Sequence, residues 1–175
     1  VYVEEDELKS IKPFPIKKAR PCVFEYIYFA RPDSILNGQS AYEYRKNFGI
    51  ELARETDVDA DIVVPVPDSG NSAALGYSQF IGKNFELGLI RNHYVGRTFI
   101  EPSQKIRSLG VKLKLNANKT SIKNKSIILI DDSLVRGTTS HKIVKMLYDA
   151  GAKEVHVRIA CPEIRYPDFY GVDTP

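Results

Sequence analysis

"SIILIDDSLVRGTTS", residues Ser126 to Ser140, is the stretch on which the fold turns. Its first half is a continuous run of branched apolar residues, the pattern of a strand covered on both faces of a parallel sheet. The run delivers two consecutive carboxylates, Asp131 and Asp132, and a loop of hydroxyls, glycine and arginine follows at once. "TTSHKIVKMLYDAG" then predicts a helix in which Ile143, Met146 and Leu147 share a face and Gly151 makes the stop. In open α/β sheets, ligands sit beyond the carboxyl ends of strands, and residues 131–140 occupy such a place. Gly137 allows close approach, and helix amides with the hydroxyls of Ser133, Thr138, Thr139 and Ser140 make a cup for phosphate.

The carboxylates are the informative oddity, because they repel a bare phosphate. An ionised carboxylate only accepts hydrogen bonds, so the pair suits sugar hydroxyls lying beside the phosphate. It also suits a reaction in which positive charge develops on a sugar ring. A ribose 5-phosphate unit reacting at its anomeric carbon meets both demands. Taken apart, an acid pair after a strand also marks metal and phospho-acceptor sites, and "GTTS" also serves as a plain helix cap. Joined without a gap, they form a specific motif.

Outward from this stretch, "AKEVHVRIACP" predicts a strand after the helix. Upstream, "DIVVPV" (Asp61 to Val66) predicts a short buried strand, "PDSGN" a loop and "SAALGYSQFIG" a helix. "FELGLI" predicts a further strand. Ser40 caps a helix over "AYEYRKNFGIELARE", in which Tyr44, Phe48, Leu52 and Glu55 mark turns. "CVFEYIYFA" (Cys22 to Ala30), rich in aromatic and branched residues, predicts a strand. Residues 1–21 carry Pro13, Pro15 and Pro21 among acidic and then basic clusters, and predict a linker or edge segment ahead of one domain, 22–175. Strands alternating with helices make the class α/β, a mainly parallel twisted sheet flanked by helices.

Bulk composition narrows the function classes. A chain of 175 residues, 43% hydrophobic and 27% charged, is ordinary for a globular domain, and no apolar run approaches the length of a membrane span. A net charge of +3 does not argue for nucleic acid. The basic residues are concentrated: Arg91, Arg97, Lys105, Arg107, Lys112, Lys114, Lys119, Lys123 and Lys125 face a single acid, Glu101. That segment meets a polyanion or forms a solvated face. Cys22 and Cys161 are far apart without metal-ligand spacing, as expected of reduced thiols in a cytoplasmic protein. His93, His141 and His156 form no pairing with a cysteine, and His141 and His156 read as surface or packing residues.

"IILIDDSLVRGTTS" resembles the phosphoribosyl pyrophosphate (PRPP) signature of type I phosphoribosyltransferases. "CVFEYIYFARPDS", "VPVPDSGNSAALGY", "GLIRNHYVGRTFIEPSQKIRSLGVKLKLNAN" and "AGAKEVHVRIACPEI" together resemble the glutamine phosphoribosylpyrophosphate amidotransferases, which open purine synthesis. The likeness runs in unbroken order from about Cys22 to the end.

The resemblance implies roles. Asp131 and Asp132 would hold the ribose hydroxyls, and Ser133 with Arg136, Gly137, Thr138, Thr139 and Ser140 would hold the 5′-phosphate. Asp68, Ser69 and Gly70 match the pyrophosphate loop; their position between a strand and a helix fits an anion site on independent grounds, although a plain turn capped by Ser69 or Asn71 fits too. One Mg²⁺ per site is implied, with ligands at Ser69, Asp131 and Asp132, a set of oxygens that suits the ion. The basic segment resembles the catalytic loop: Arg91, Arg97 and Lys114 would meet pyrophosphate oxygens, while Tyr94 and Ile100 would wall off the site. Arg97, Lys114 and Tyr94 are the implied catalytic residues.

The implied reaction is substitution at the anomeric carbon of PRPP by ammonia, releasing pyrophosphate. Family members draw that ammonia from glutamine in an N-terminal glutaminase domain with a terminal cysteine. This chain starts at Val1 in what resembles the connecting segment, so it is expected to be the phosphoribosyltransferase part of a longer, homo-oligomeric, cytoplasmic enzyme. No nucleic-acid or membrane partner is implied. Some members carry an iron–sulfur cluster on four cysteines; Cys22 matches one, but Asp168 stands where another belongs, so no cluster is expected. The alternatives are a phosphoribosyltransferase that joins a base to PRPP, or a non-catalytic PRPP-binding regulator. Residues 1–40 hold no evident base-recognising hood, and no helix-turn-helix pattern appears.

Overall fold

The computed structural model describes residues 1–4, 7–18, 20–56, 58–92, 114–163 and 165. Its centre is a four-stranded, all-parallel sheet. In chain order the strands are β5 (Ile62–Pro65), β6 (Asn84–Phe85), β9 (Ser126–Asp131) and β10 (Glu154–Ile159), and their order across the sheet is β10-β9-β5-β6. Every residue of β5 and β9 is buried, which is why both read as continuous apolar runs. Val64 lies opposite Leu129, and Leu129 opposite Val157.

Alternation along the strands divides the core into two layers. Ile62, Val64, Ile127 and Leu129 point to one face, where Ile143 and Leu147 of helix α4 (Thr138–Asp149) meet them. Val63, Ile128 and Ile130 point to the other, against Ala53 of α1 (Ala41–Glu55) and Ala73, Ala74 and Tyr77 of α2 (Asn71–Ile81). Helix α1 starts on a capping box: Glu43 N–H donates to Ser40 Oγ, and Ser40 N–H donates to the Glu43 carboxylate, each at 3.2 Å. The two helices of this layer cross in close contact. A β-carbon on Gly76 would lie 2.0 Å from the Lys46 carbonyl oxygen, and one on Gly49 would lie 1.9 Å from that of Ala73. Only glycine lets the backbones approach so nearly.

The chain leaving β5 passes through α2 to β6 on one side, while the chain leaving β9 passes through α4 to β10 on the other. Neighbouring strands whose connections diverge open a crevice at their carboxyl ends, the place where α/β sheets bind ligands. The topology therefore delivers both loops singled out from the sequence to one place.

Two expectations fail. Cys22–Ala30 is a helical turn, with a π-helical stretch at Glu25–Phe29, and not a strand. Its buried residues are Phe24, Ile27 and Ala30, three apart, so burial follows a helical period. "FELGLI" is split between two pairings. Phe85 pairs with Val63 in the main sheet, whereas β7 (Leu89–Arg91) leaves it for an antiparallel ribbon with β8 (Leu115–Ala117). That ribbon and the short helix α3 (Lys119–Ile122) cover the α4 face of the core through Leu89, Leu115 and Ile122.

Within residues 1–21, β1 (Tyr2–Glu4) and β2 (Glu7–Lys9) form an antiparallel pair of their own, and residues 10–18 are exposed. A second short ribbon, β3 (Ile35–Leu36) with β4 (Gln39–Ser40), leads into α1. No helix among the described residues is long and apolar enough to cross a membrane.

Candidate functional site

Strand β9 carries Asp131 and Asp132 to its buried carboxyl end, where they are 9% and 7% exposed. Asp132 N–H donates to Asp131 Oδ1 at 2.9 Å, and Ser133 N–H donates to Asp132 Oδ1 at 2.8 Å. Asp132 Oδ2 is buried with no hydrogen-bond partner among the described residues. Burial pushes the Asp131 carboxyl up to about 8, reinforced by the hydrogen bond to Asp132 and by its charge, and opposed by the Asp132 amide. A buried carboxyl beside a second acid thus favours its protonated form more than an exposed one does.

The turn after β5, residues 67–70, abuts this end of β9. Val66 N–H donates to the Ile130 carbonyl at 2.8 Å, and Gly70 N–H to the Val66 carbonyl at 2.9 Å. A β-carbon on Gly70 would sit 2.6 Å from the Ile130 oxygen, so the tight contact between the turn and β9 requires glycine there. The Pro67–Asp68 peptide is cis. Ser69 lies beside Asp132: both line one small cavity of about 10 Å³, with Arg45, Ile27 and Phe48. Of the three expected oxygen ligands, Ser69 and Asp132 lie on two facing turns and Asp131 is the last residue of β9 beside them.

The loop from Ser133 to Ser140 leads into α4. Gly137 has φ 68°, left-handed backbone that favours glycine, and α4 begins with no side-chain cap. Its first-turn amides are thus not claimed by a capping side chain. Arg136 and Thr138 are exposed, while Ser133, Thr139 and Ser140 are half-buried. Uncapped amides, four hydroxyls and a guanidinium make an anion cup next to the acid pair.

Arg91, at the end of β7, pairs with the Asp68 carboxylate of the facing turn. Lys114 is beside it, its carbonyl accepting from Asn92 N–H at 2.7 Å. Arg91 therefore stands at the rim of the crevice, with the Lys114 backbone next to it on the same ribbon. Tyr94, Arg97, Ile100 and His93 lie outside the described residues, as does Asp168. His141 is exposed on α4, and His156 sits on β10 with Nε2 3.4 Å from Glu154 Oε2. Cys22 and Cys161 are free thiols.

One polar group escaped the sequence reading, and Asn71 entered it only as a possible cap. Asn71 Oδ1, at the first residue of α2 and not at its cap, is buried with no hydrogen-bond partner among the described residues. Arg45, only 7% exposed, reaches from α1 into the back of the site. Its Nε donates to the Tyr26 carbonyl at 2.9 Å and its Nη2 to the Ala30 carbonyl at 2.7 Å. Burial lowers its pKa, opposed by the charges of Asp132 and Glu25. The one signal available was its place in α1 four residues from Gly49 and Ala41, on the face those small residues bury.

A larger hollow, about 440 Å³, is lined by Arg54, Thr56, Asp59, Phe80 and Lys83. It lies at the carboxyl ends of α1 and α2, beneath the amino end of β5, and is removed from both loops. The chemistry is in the crevice: a carboxylate pair, an anion cup and a rim cation. This arrangement can hold a phosphorylated sugar with its hydroxyls on the acids and a second anionic group near Arg91 and the turn at 67–70.

Comparisons with known proteins agree on one family. The amidophosphoribosyltransferase of Rhizobium etli is 61% identical over 170 residues, 97% of this chain and 34% of the relative. A chloroplastic amidophosphoribosyltransferase of Glycine max is 54% identical across 100% of the chain and 31% of its own length. Among solved structures, the glutamine PRPP amidotransferase of B. subtilis complexed with ADP and GMP superposes with a TM-score of 0.77 at 55% identity, covering 87% of this chain and 34% of that one. No family model matches. The chain spans about a third of the length of the curated relatives it matches.

Proposed function

The chain belongs to the amidophosphoribosyltransferase family, and from that premise we propose that it binds PRPP and presents the anomeric carbon to ammonia. The nitrogen lone pair forms the new C1–N bond, the C1–O bond breaks, pyrophosphate departs and a proton leaves the nitrogen. The observation that carries this reading is the meeting of Ser69 with Asp132 across two facing turns, where Asp132 Oδ2 is buried without a partner among the described residues.

In this reading Asp131 and Asp132 accept hydrogen bonds from the ribose hydroxyls and fix the ring. Ser133, Arg136 and residues 137–140 hold the 5′-phosphate through hydroxyls, amides and the guanidinium. Asp68, Ser69 and Gly70 receive the pyrophosphate chiefly through backbone groups. Arg91 exchanges the Asp68 carboxylate for a pyrophosphate oxygen, and Lys114 adds a second charge. Arg97 and Tyr94 are assigned to covering the site and excluding water by resemblance alone.

An unpartnered buried carboxylate oxygen and an all-oxygen donor set suit Mg²⁺, which Ser69, Asp131 and Asp132 would hold. When bound, it neutralises charge on the leaving pyrophosphate. Neutral ammonia is already a nucleophile, so the protein's work is positioning, charge compensation and keeping water from the carbon.

The relatives are about three times longer, and we assign glutamine-derived ammonia and assembly into homo-oligomers to the whole protein of which this chain is a part. We place it in the cytoplasm, where both thiols stay reduced. The test supplies purified protein with PRPP, Mg²⁺ and ammonium and follows pyrophosphate. Release that requires ammonium supports the proposal. Release only with a purine or pyrimidine base makes it a base-transferring enzyme, and tight PRPP binding without release makes it a regulator.

A further inference from the structure

Among the described residues, the charged side chains that are buried are Arg45, Asp131 and Asp132, and Arg45 shares a cavity with Asp132. The guanidinium is fixed. Its Nε and Nη2 are committed to the carbonyls of Tyr26 and Ala30, the middle and the end of the aromatic turn, so it cannot swing out to solvent. Tyr26 is held in turn by edge-on contact with Tyr44, ring centroids 4.7 Å apart. A rigid cation therefore stands behind an acid pair in which Asp132 Oδ2 has no partner among the described residues. Glu25 is the other acid near Arg45, but it is exposed and screened by water.

Left to itself, a buried carboxylate pair with a neighbouring hydroxyl would trap a divalent cation. Charges interact strongly at such range where water is excluded, and a divalent ion feels a nearby guanidinium twice over. Resting on the PRPP reading above, we propose that Arg45 is a positioning residue acting through Asp132: its fixed charge keeps the empty acid pair from holding a divalent cation firmly, so the cation is retained only when it arrives with substrate phosphates. The added negative charge of the substrate then outweighs the guanidinium. This device lets the product leave without a metal locking the site shut.

The test titrates Mn²⁺ into the free protein and into protein saturated with PRPP, read by electron paramagnetic resonance. The free wild type is expected to bind at least about tenfold more weakly than the PRPP-loaded protein. Arg45→Gln removes the charge and is expected to tighten Mn²⁺ binding to the free protein about tenfold. Arg45→Lys keeps the charge while losing the two-pronged grip, so its Mn²⁺ affinity stays at the wild-type value although its melting temperature falls. A role confined to bracing the aromatic turn would lower both melting temperatures and tighten neither titration. Unchanged or weaker binding in Arg45→Gln overturns the proposal. So does equal affinity of free and loaded wild type, a comparison that stands even if the variant does not fold. Failure of the wild type to bind PRPP at all would remove the acid-pair reading itself, whereas PRPP binding with an unaltered Arg45→Gln titration would remove only the role of Arg45.

Discussion

Arg91, on the last residue of β7, holds the carboxylate of Asp68 in the turn after β5, and so joins the antiparallel ribbon to the lip of the crevice. Both side chains are partly exposed, 37% and 51%, so the ion pair contributes less than about 1 kcal/mol to stability. Its interest lies in competition. If Arg91 must release Asp68 to receive a pyrophosphate oxygen, then Asp68→Asn leaves the melting temperature within about 2 °C and binds PRPP at least as tightly as the wild type. Arg91→Ala loses a charge-assisted hydrogen bond and weakens PRPP by about tenfold or more. Calorimetric titration of both variants checks the pair. Tenfold weaker binding by Asp68→Asn would show that the carboxylate itself grips the substrate.

The acid pair carries a stability cost with a defined pH window. Asp131 is raised in the folded protein from 3.8 to about 8. Its favourable contribution is therefore complete below about pH 4, is lost progressively as pH rises, and is gone above about 8. Asp131→Asn keeps the oxygen that accepts from the Asp132 amide and offers an N–H to the Asp132 carboxylate. The variant is expected to gain on the wild type between pH 5 and 8, by about 1 kcal/mol or more, with a level difference above pH 9. PRPP binding falls in the same variant. Thermal melts of the two proteins across pH 5 to 9 make the comparison; a constant difference would mean that Asp131 does not titrate in this range.

Packing between α1 and α2 sets the position of the turn at 67–70, because α2 begins where that turn ends. Gly76→Ala would place a β-carbon 2.0 Å from the Lys46 carbonyl oxygen, a backbone atom that moves only with its helix. The expected cost is about 1–3 kcal/mol or more in urea denaturation, with weaker PRPP binding as the helices part. Gly82→Ala, beyond the end of α2 with nothing within 4 Å, is the control: it has φ 68°, so it loses stability from backbone strain yet leaves PRPP affinity alone.

Much of this was legible because physical chemistry acted locally. The six buried residues of β9, the Ser40 capping box and the apolar face of α4 each follow from composition over a few positions. The acid pair and the hydroxyl loop were readable for the same reason, being contiguous in the chain. Cys22–Ala30 misled because β-propensity describes fit to a pleated surface, and here α1 provides a helical seat for Phe24, Ile27 and Ala30. The spacing of those three residues was the overlooked signal. The division of "FELGLI" depended on a ribbon partner, Leu115–Ala117, far along the chain. Arg45 was marked only by its spacing from Ala41 and Gly49: an arginine in a polar helix reads as surface, and the tertiary fold reveals two carbonyls and a carboxylate around it.

The central claim is that the paired acids hold a sugar's hydroxyls while the loop behind them holds its phosphate. Titration of PRPP with Mg²⁺ into the wild type, and into a protein with Asp131→Asn and Asp132→Asn together, tests it most directly. The account predicts saturable binding by the wild type that weakens at least about a hundredfold in the double variant, at two or more charge-assisted hydrogen bonds lost. Equal affinity in the two proteins would contradict it.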